Sequence, residues 1–287
     1  MGEEMARPGW RKAIPEKRDR AQSRLLVGLV VPVLVVGTVT VYRPWNLASV
    51  LPLLGSFAFA ALVWLLRSAT LPASCVGFLV CAILTRVPLV WTGFSSLPVD
   101  WTAIPALAVL FVLTFATTRF GRTGKERRGV GEARSGRRAS QIVANLGVAA
   151  LCALVGWYAG CIAALAEATA DTVSSEIGQA IGGRTWMVTT LRRVPAGEDG
   201  GMSVAGTIAG VAAAGVVVAA GSLHHALWPD KSLVFFAACA GLVFDSWLGA
   251  TVERRGWMGN DWVNFVSTLF AAMLPLVWLL AQHKVHF

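Results

Sequence analysis

Charge is scarce in this chain. Only 14% of its 287 residues are Asp, Glu, Lys or Arg, while 55% are hydrophobic. A soluble domain carries about 25% charged residues. One soluble core stops growing near ~250–300 residues, so a soluble fold of this length has nowhere to hide so much apolar surface. That argues against a soluble enzyme, a disordered chain and a disulfide-stapled secreted module, and for a polytopic membrane protein. Cysteine chemistry is also thin. Cys75, Cys81, Cys152, Cys161 and Cys239 lie in apolar stretches, with no Cys-x-x-Cys pair and no histidine at ligand spacing. They read as small hydrophobes. His224, His225, His283 and His286 fall in one short loop and at the C-terminal end. They stand away from the acidic motifs and are poor candidates for a catalytic base. The chain has no Gly-x-x-x-x-Gly-Lys-Ser/Thr loop, no Gly-x-Gly-x-x-Gly and no Gly-x-Ser-x-Gly elbow. No P-loop, dinucleotide site or serine-hydrolase nucleophile is indicated.

Long apolar runs are what the sequence does have. A helical span needs roughly 20 apolar residues. Candidate runs are 25–41, 47–66, 72–92, 102–119, 142–163, 204–222, 232–250 and 263–282. They show no strand-like alternation, so helices are the way to satisfy the backbone in lipid. The expectation is an all-α, polytopic helical membrane protein of about 8–9 transmembrane helices. Residues 1–24 form a basic tail, unlike a secretory signal, so the first run is expected to stay as a span. Residues 25–119 read as a four-helix membrane scaffold and 120–287 as the catalytic membrane domain. Lys and Arg gather in the tail and in the loop after Arg119, two segments separated by an even number of spans. The positive-inside rule then places the N-terminus and both basic segments in the cytoplasm of a bacterial-type inner membrane. The net charge of +9 is expected to face anionic lipid rather than nucleic acid. Segment 162–181 is too polar to face lipid, yet it is expected to return through the bundle as a ninth helix around a wet cavity.

Acidic residues are nearly missing from the first half. Between Arg24 and Arg119 the sole acid is Asp100, whereas Glu167, Asp171, Glu176, Glu198, Asp199, Asp230, Asp245, Glu253 and Asp261 follow. A carboxylate at membrane depth costs about 2.5–3.5 kcal/mol, so several together suggest a cation. In Ala-Asp-Thr-Val-Ser-Ser-Glu-Ile-Gly (170–178), Asp171, Ser174 and Gly178 share a helical face with Glu167, and Glu176 lies on a neighbouring one. Such oxygens suit a hard divalent cation, which takes one or two carboxylates plus phosphate oxygens; a bundle hydrogen-bond network is the competing reading. Residues 189–210 place Arg192 and Arg193 before the Gly-rich turn of Gly200 and Gly201, then open an apolar helix at Ser203, with Thr207 in its first turns. Helix starts and arginine forks favour phosphate; membrane anchoring competes for the two arginines. Gly206, Ala209 and Gly210 read as close helix packing. In 245–253, Asp245 ends an apolar run and Ser246, Gly249 and Glu253 form one stripe. Asp245 is a second metal carboxylate or the partner of an arginine. Arg138 leads into a span carrying Gln141 and Asn145; it reads as an orientation signal or, more sharply, as a phosphate contact at the membrane face.

These motifs, Ala170–Gly178, Gly200–Gly210 and Asp245–Glu253, resemble the membrane family catalogued as domain of unknown function 92. That family includes transmembrane protein 19 and the phytyl-phosphate kinases of tocopherol synthesis. The resemblance runs over roughly 120–282. It implies transfer of a phosphoryl group, from CTP or another nucleoside triphosphate, to an isoprenyl monophosphate lipid at the cytoplasmic face. Mg²⁺ is then expected on Asp171, Glu176 and Asp245, with Glu167 or Glu253 able to replace any of them. Arg192, Arg193 and Arg138 would supply cations, and Gly200, Gly201, Ser203, Thr207, Ser246 and Glu253 would form the nucleotide cradle. An isoprenyl phosphate is already an anionic nucleophile and needs no histidine base. A cytidylyltransferase on another lipid acceptor, and a transporter or flippase with buried carboxylates, are the alternatives.

Overall fold

A computed structural model describes residues 14–43, 47–86, 103–127, 136–223, 227 and 230–284. Asp100 with its acid-poor loop, His224, His225, His286 and the side chain of His283 lie outside the described residues. The chain is built of helices: α1 (Glu16–Val41), α2 (Leu47–Leu65), α3 (Leu71–Leu84), α4 (Ile104–Arg119), the short α5 (Arg122–Arg127), α6 (Ala139–Leu154), α7 (Tyr158–Ile181), α8 (Val204–Gly221), α9 (Lys231–Leu248) and α10 (Asn260–Lys284). A π-helical turn, Gly249–Glu253, extends α9. Helices α1, α8, α9 with its extension, and α10 are long and apolar enough to cross a membrane; α2, α3, α4 and α6 are shorter apolar helices.

Three departures from the sequence reading have local causes. The run 142–163 is not one span. It breaks after Leu154, where Gly156 adopts a positive φ of 72° that a side chain would resist. Helix α7 then starts at Tyr158 and runs unbroken to Gly182, a left-handed C-cap. The expected polar helix is therefore present, but it is a full-length member of the bundle. Finally, segment 182–203 is not merely a loop. It folds into an antiparallel sheet in the order β2–β1–β3, with β1 (Thr185–Met187), β2 (Arg193–Val194) and β3 (Gly201–Ser203). Thr185 pairs with Val194 on one side and Ser203 on the other.

One core joins the helices. Leu26, Leu34, Val80, Leu107, Ile162 and Leu242 all belong to it, and α4 packs on α7 and α8 while α1 packs on α6 and α10. The tightest seam is α7 against α8. A Cβ on Gly206 would overlap the Ser174 carbonyl, and one on Gly210 would come within 2.6 Å of the Ala170 carbonyl. The small residues of α8 thus set the interhelical distance, as in membrane bundles generally.

The helices alternate in direction, and side-chain latches fix both ends. At one end, the Tyr42 hydroxyl meets Thr85 Oγ1 at 2.7 Å, Tyr158 donates to the Gly221 carbonyl at 2.6 Å, and Trp157 Nε1 donates to the Ala272 carbonyl at 3.1 Å. At the other, Trp262 Nε1 donates to the Gln22 carbonyl at 3.0 Å, Arg119 to the Leu66 carbonyl at 3.0 Å, and Arg137 N–H to the Ser68 carbonyl at 2.9 Å. This second end also carries the sheet and Arg67, Arg138, Arg192, Arg193 and Arg254. We call it the basic end.

Candidate functional site

At the basic end, between α7, α9 and the sheet, lies a polar cavity of about 170 Å³. Three elements build it. Helix α7 contributes Asp171 and Ser174, with Gly178 one turn further on; their spacing of three and four residues keeps them on one face. The end of α9 contributes Asp245 and Ser246, and the π-turn Gly249 and Glu253. A π-turn rotates the helix surface, and such turns often mark functional positions. The third element is the strap Gly197–Gly201 with Ser203. Gly200 has φ 74°, and a Cβ there would overlap Ala250. On the opposite side, a Cβ on Gly249 would stand 2.8 Å from the Gly200 nitrogen. Two glycines back to back therefore let the strap lie directly on the π-turn. Ser203 closes the arrangement as N-cap of α8, its hydroxyl accepting from Gly206 N–H at 3.1 Å.

The carboxylates are the chemical centre. Asp171 and Asp245 stand together in the cavity wall, one on each side of the α7–α9 seam. Ser267 of α10 donates to Asp245 Oδ1 at 3.0 Å. One turn deeper, Glu167 is only 1% exposed, and its Oε1 has no hydrogen-bond partner among the described residues. Burying carboxylates costs several kcal/mol each unless a cation compensates. On the sheet side, Glu198 lies 3.9 Å from Arg254, whose Nη1 reaches Met187 Sδ at 3.3 Å.

Metal fit rests on this donor set. Among the described residues no three His, Cys, Asp or Glu side chains converge to hold a metal. The expected trio of Asp171, Glu176 and Asp245 is therefore not assembled. Glu176 turns away from the cavity and is buried in an ion pair with Lys125 of α5. On a helix five residues rotate the side chain by about 140°, which carries Glu176 off the Asp171 face. The remaining pair, Asp171 and Asp245, matches the one or two carboxylates that Mg²⁺ takes when phosphate oxygens complete its shell. Glu167, whose Oε1 has no hydrogen-bond partner among the described residues, lies one turn deeper on α7 and outside the cavity lining.

The other expected site residues divide. Gly200, Gly201, Ser203, Ser246 and Glu253 line the cavity. Arg192 and Arg193 do not: both are exposed, Arg193 on the edge strand β2. Thr207 sits on α8 outside the lining. Arg138 is exposed, and its N–H is occupied by Gln141 Oε1 at 2.8 Å, so this stretch caps α6. Asn145 accepts from Asn264 at 3.4 Å and ties α6 to α10. Arg137 is outside the lining too, but its Nη2 is 3.5 Å from Thr172 Oγ1 and its charge acts on Asp171. The sequence motif marks its neighbour Arg138 instead. The deciding contact is the bridge Ala69↔Arg137; in extended chain, successive side chains point to opposite sides. Glu198 and Asp199 were visible as acids, but only the folded strap brings them to the cavity.

Residues 54–272 match the family model described as Integral membrane protein DUF92. The match includes most of α2 and all of α3 and α4, so the likeness extends well before residue 120. Among individual relatives, the chain is 34% identical over 195 residues to the uncharacterized membrane protein sll0875 of Synechocystis, covering 61% of this chain and 75% of that protein. It is 28% identical over 206 residues to Protein VTE6, chloroplastic, of Arabidopsis thaliana, covering 66% of this chain and 60% of the plant protein. It is 28% identical over 247 residues to Protein PGR of the same plant, covering 64% of this chain and 85% of that protein. No solved structure matches the chain significantly.

Proposed function

The chain belongs to the integral membrane protein family DUF92, and from that premise we propose that it is a membrane-embedded phosphotransferase acting on an isoprenyl monophosphate. The observation that carries the reading is the Asp171–Asp245 pair beneath a glycine strap at the basic end of the bundle. In the proposed reaction, an oxygen of the acceptor phosphate attacks the γ-phosphorus of a nucleoside triphosphate such as CTP. One P–O bond forms there. The bond from the γ-phosphorus to the bridging oxygen breaks, leaving the nucleoside diphosphate and the prenyl diphosphate. Such transfer depends on positioning and on cations around the moving group. Mg²⁺ held by Asp171 and Asp245 would neutralise phosphate charge. Arg137 orients the acceptor phosphate, the Gly200–Gly201 strap borders the nucleotide phosphates, and Ser246 and Glu253 line the floor. The positive-inside rule supports a cytoplasmic position for the Lys/Arg-rich basic end, where the cavity would have access to nucleotide.

The test is purified protein in detergent with prenyl monophosphates, CTP or ATP, and Mg²⁺, with products separated chromatographically. Nucleoside diphosphate and prenyl diphosphate are expected in equal amounts. Pyrophosphate release would identify a cytidylyltransferase instead, and no turnover with any acceptor would sink the reading.

A further inference from the structure

A second recess opens at the same end, on the opposite side of α7. Its walls come from α2, α3, α4 and α6, and include Phe59, Val63, Val80, Leu107, Leu110 and Phe111. It is thus built largely from the helices that the sequence marks as scaffold. Arg67, Arg119, Arg122 and Arg137 stand at its mouth. Among the described residues that line it there is no Asp or Glu, and Lys125, also there, is ion-paired with Glu176.

These arginines are held in place. Arg119 lies 3.5 Å from the Phe115 ring centroid and donates to the Leu66 carbonyl at 3.0 Å. Arg67 has φ 53°, a conformation rare for a residue with a side chain. Gly136, at φ 79°, packs against the Arg67 carbonyl so closely that a Cβ would stand 2.7 Å from it. The neighbouring Ala69↔Arg137 bridge fixes Arg137 relative to this turn. An independent sign of a ligand lies inside. Ser74 is only 5% exposed and lines the cleft, yet its hydroxyl lacks a hydrogen-bond partner among the described residues. Buried polar groups without partners are rare and call for explanation.

We propose that this cleft is the subsite for a single-chain lipid phosphate monoester, its chain along the α2–α4 wall and its phosphate among Arg67, Arg119, Arg122 and Arg137. Apolar walls ending in a cluster of guanidinium groups are complementary to that chemistry and to no neutral lipid. Helix α7 is the shared partition: Ala168 borders the cleft, and Asp171 and Ser174 border the polar cavity. Arg137 lines the cleft mouth and reaches Thr172 at the partition. A phosphate held there sits beside the carboxylate pair. The naming of the lipid as an acceptor rests on the phosphotransferase reading; the subsite itself does not.

Gly77 supplies the test, because it lines the cleft and a Cβ built on it meets nothing within 4 Å. Full-length protein in detergent is titrated with geranylgeranyl monophosphate without nucleotide, and binding is read by equilibrium dialysis. Gly77→Phe fills the cleft and is expected to weaken binding about tenfold or more. Gly77→Ser, which leaves it open, retains binding. Arg119→Ala is expected to weaken it about 10- to 100-fold by removing a charge-assisted contact. A diazirine on the prenyl chain should label peptides of α3 and α4 even if the phenylalanine variant does not fold. Unchanged affinity in a folded Gly77→Phe protein, labelling confined to α8 or α9, or equal competition by inorganic phosphate or diacyl phosphatidate would each overturn the proposal. Binding without phosphoryl transfer by the wild type would sink the kinase reading and leave the subsite standing.

Discussion

Asp171 of α7 and Asp245 of α9 share one cavity wall across a helix seam, with the Ser267 hydroxyl donating to Asp245 Oδ1 at 3.0 Å. Two neighbouring acids repel unless a cation or proton joins them. Asp171→Asn and Asp245→Asn each remove one carboxylate from that pair. We expect phosphoryl transfer to fall about 10²–10³-fold, the loss typical when one electrostatic stabiliser of a transition state is removed. Single-turnover assays on variants that still elute as monodisperse protein decide it. Normal turnover in either would remove the pair from the chemistry.

Glu176 gives the contrasting case. Its ion pair with Lys125 is buried, so removing one partner leaves an uncompensated charge. Glu176→Gln and Lys125→Met singly should each cost about 3–5 kcal/mol of stability, while replacing both by apolar residues should recover much of it. Thermal unfolding in detergent reports the difference. A double replacement that costs the sum of the two single ones would show that each side chain acts independently of the other.

How much of this the sequence carries depends on whether a feature is local. The face of α7 bearing Glu167, Asp171, Ser174 and Gly178 follows from helical periodicity alone, and the same periodicity puts Glu176 elsewhere. The stripe Ser246, Gly249 and Glu253 is legible for the same reason. The small residues Gly206 and Gly210 announce the α7–α8 seam through their size. Other features are set by long-range pairing. That Arg137 rather than Arg138 faces inward depends on the bridge to Ala69. The three-stranded sheet is made of strands of two or three residues, too short for alternation to register. Arg67 and Arg119 look like ordinary basic loop ends until the fold brings both to one cleft.

The Gly200–Gly249 contact yields a third expectation. Gly200→Ala places a methyl group into Ala250 at a positive φ, so the strap must lift from the π-turn. The strap is half-buried at the basic end, outside the helices themselves. We expect the nucleotide KM to rise about tenfold or more in the folded variant, because a misplacement near 1 Å is enough to cost catalysis on that scale. Unaltered nucleotide kinetics would show that the strap does not border the nucleotide.

The last expectation concerns the seam that holds the site together. Gly210 faces the Ala170 carbonyl at 2.6 Å from a built Cβ, with Ser174 at 2.9 Å beside it. Gly210→Ala must therefore push α8 away from α7, and overpacking of this kind costs typically about 1–3 kcal/mol. The displacement has a direction. Ser203 and the strap are continuous with the start of α8, while Asp171 and Ser174 stay with α7. Moving the two apart opens the cavity between them without touching either aspartate. Gly210→Ala should thus lower both the unfolding temperature and the rate of phosphoryl transfer. Gly215→Ala on the same helix meets only the Phe235 ring, at 3.6 Å, and should alter neither. Parallel melting and turnover measurements on the two variants separate a seam that positions the site from general sensitivity of α8 to added volume: equal losses in both would discard the positioning role.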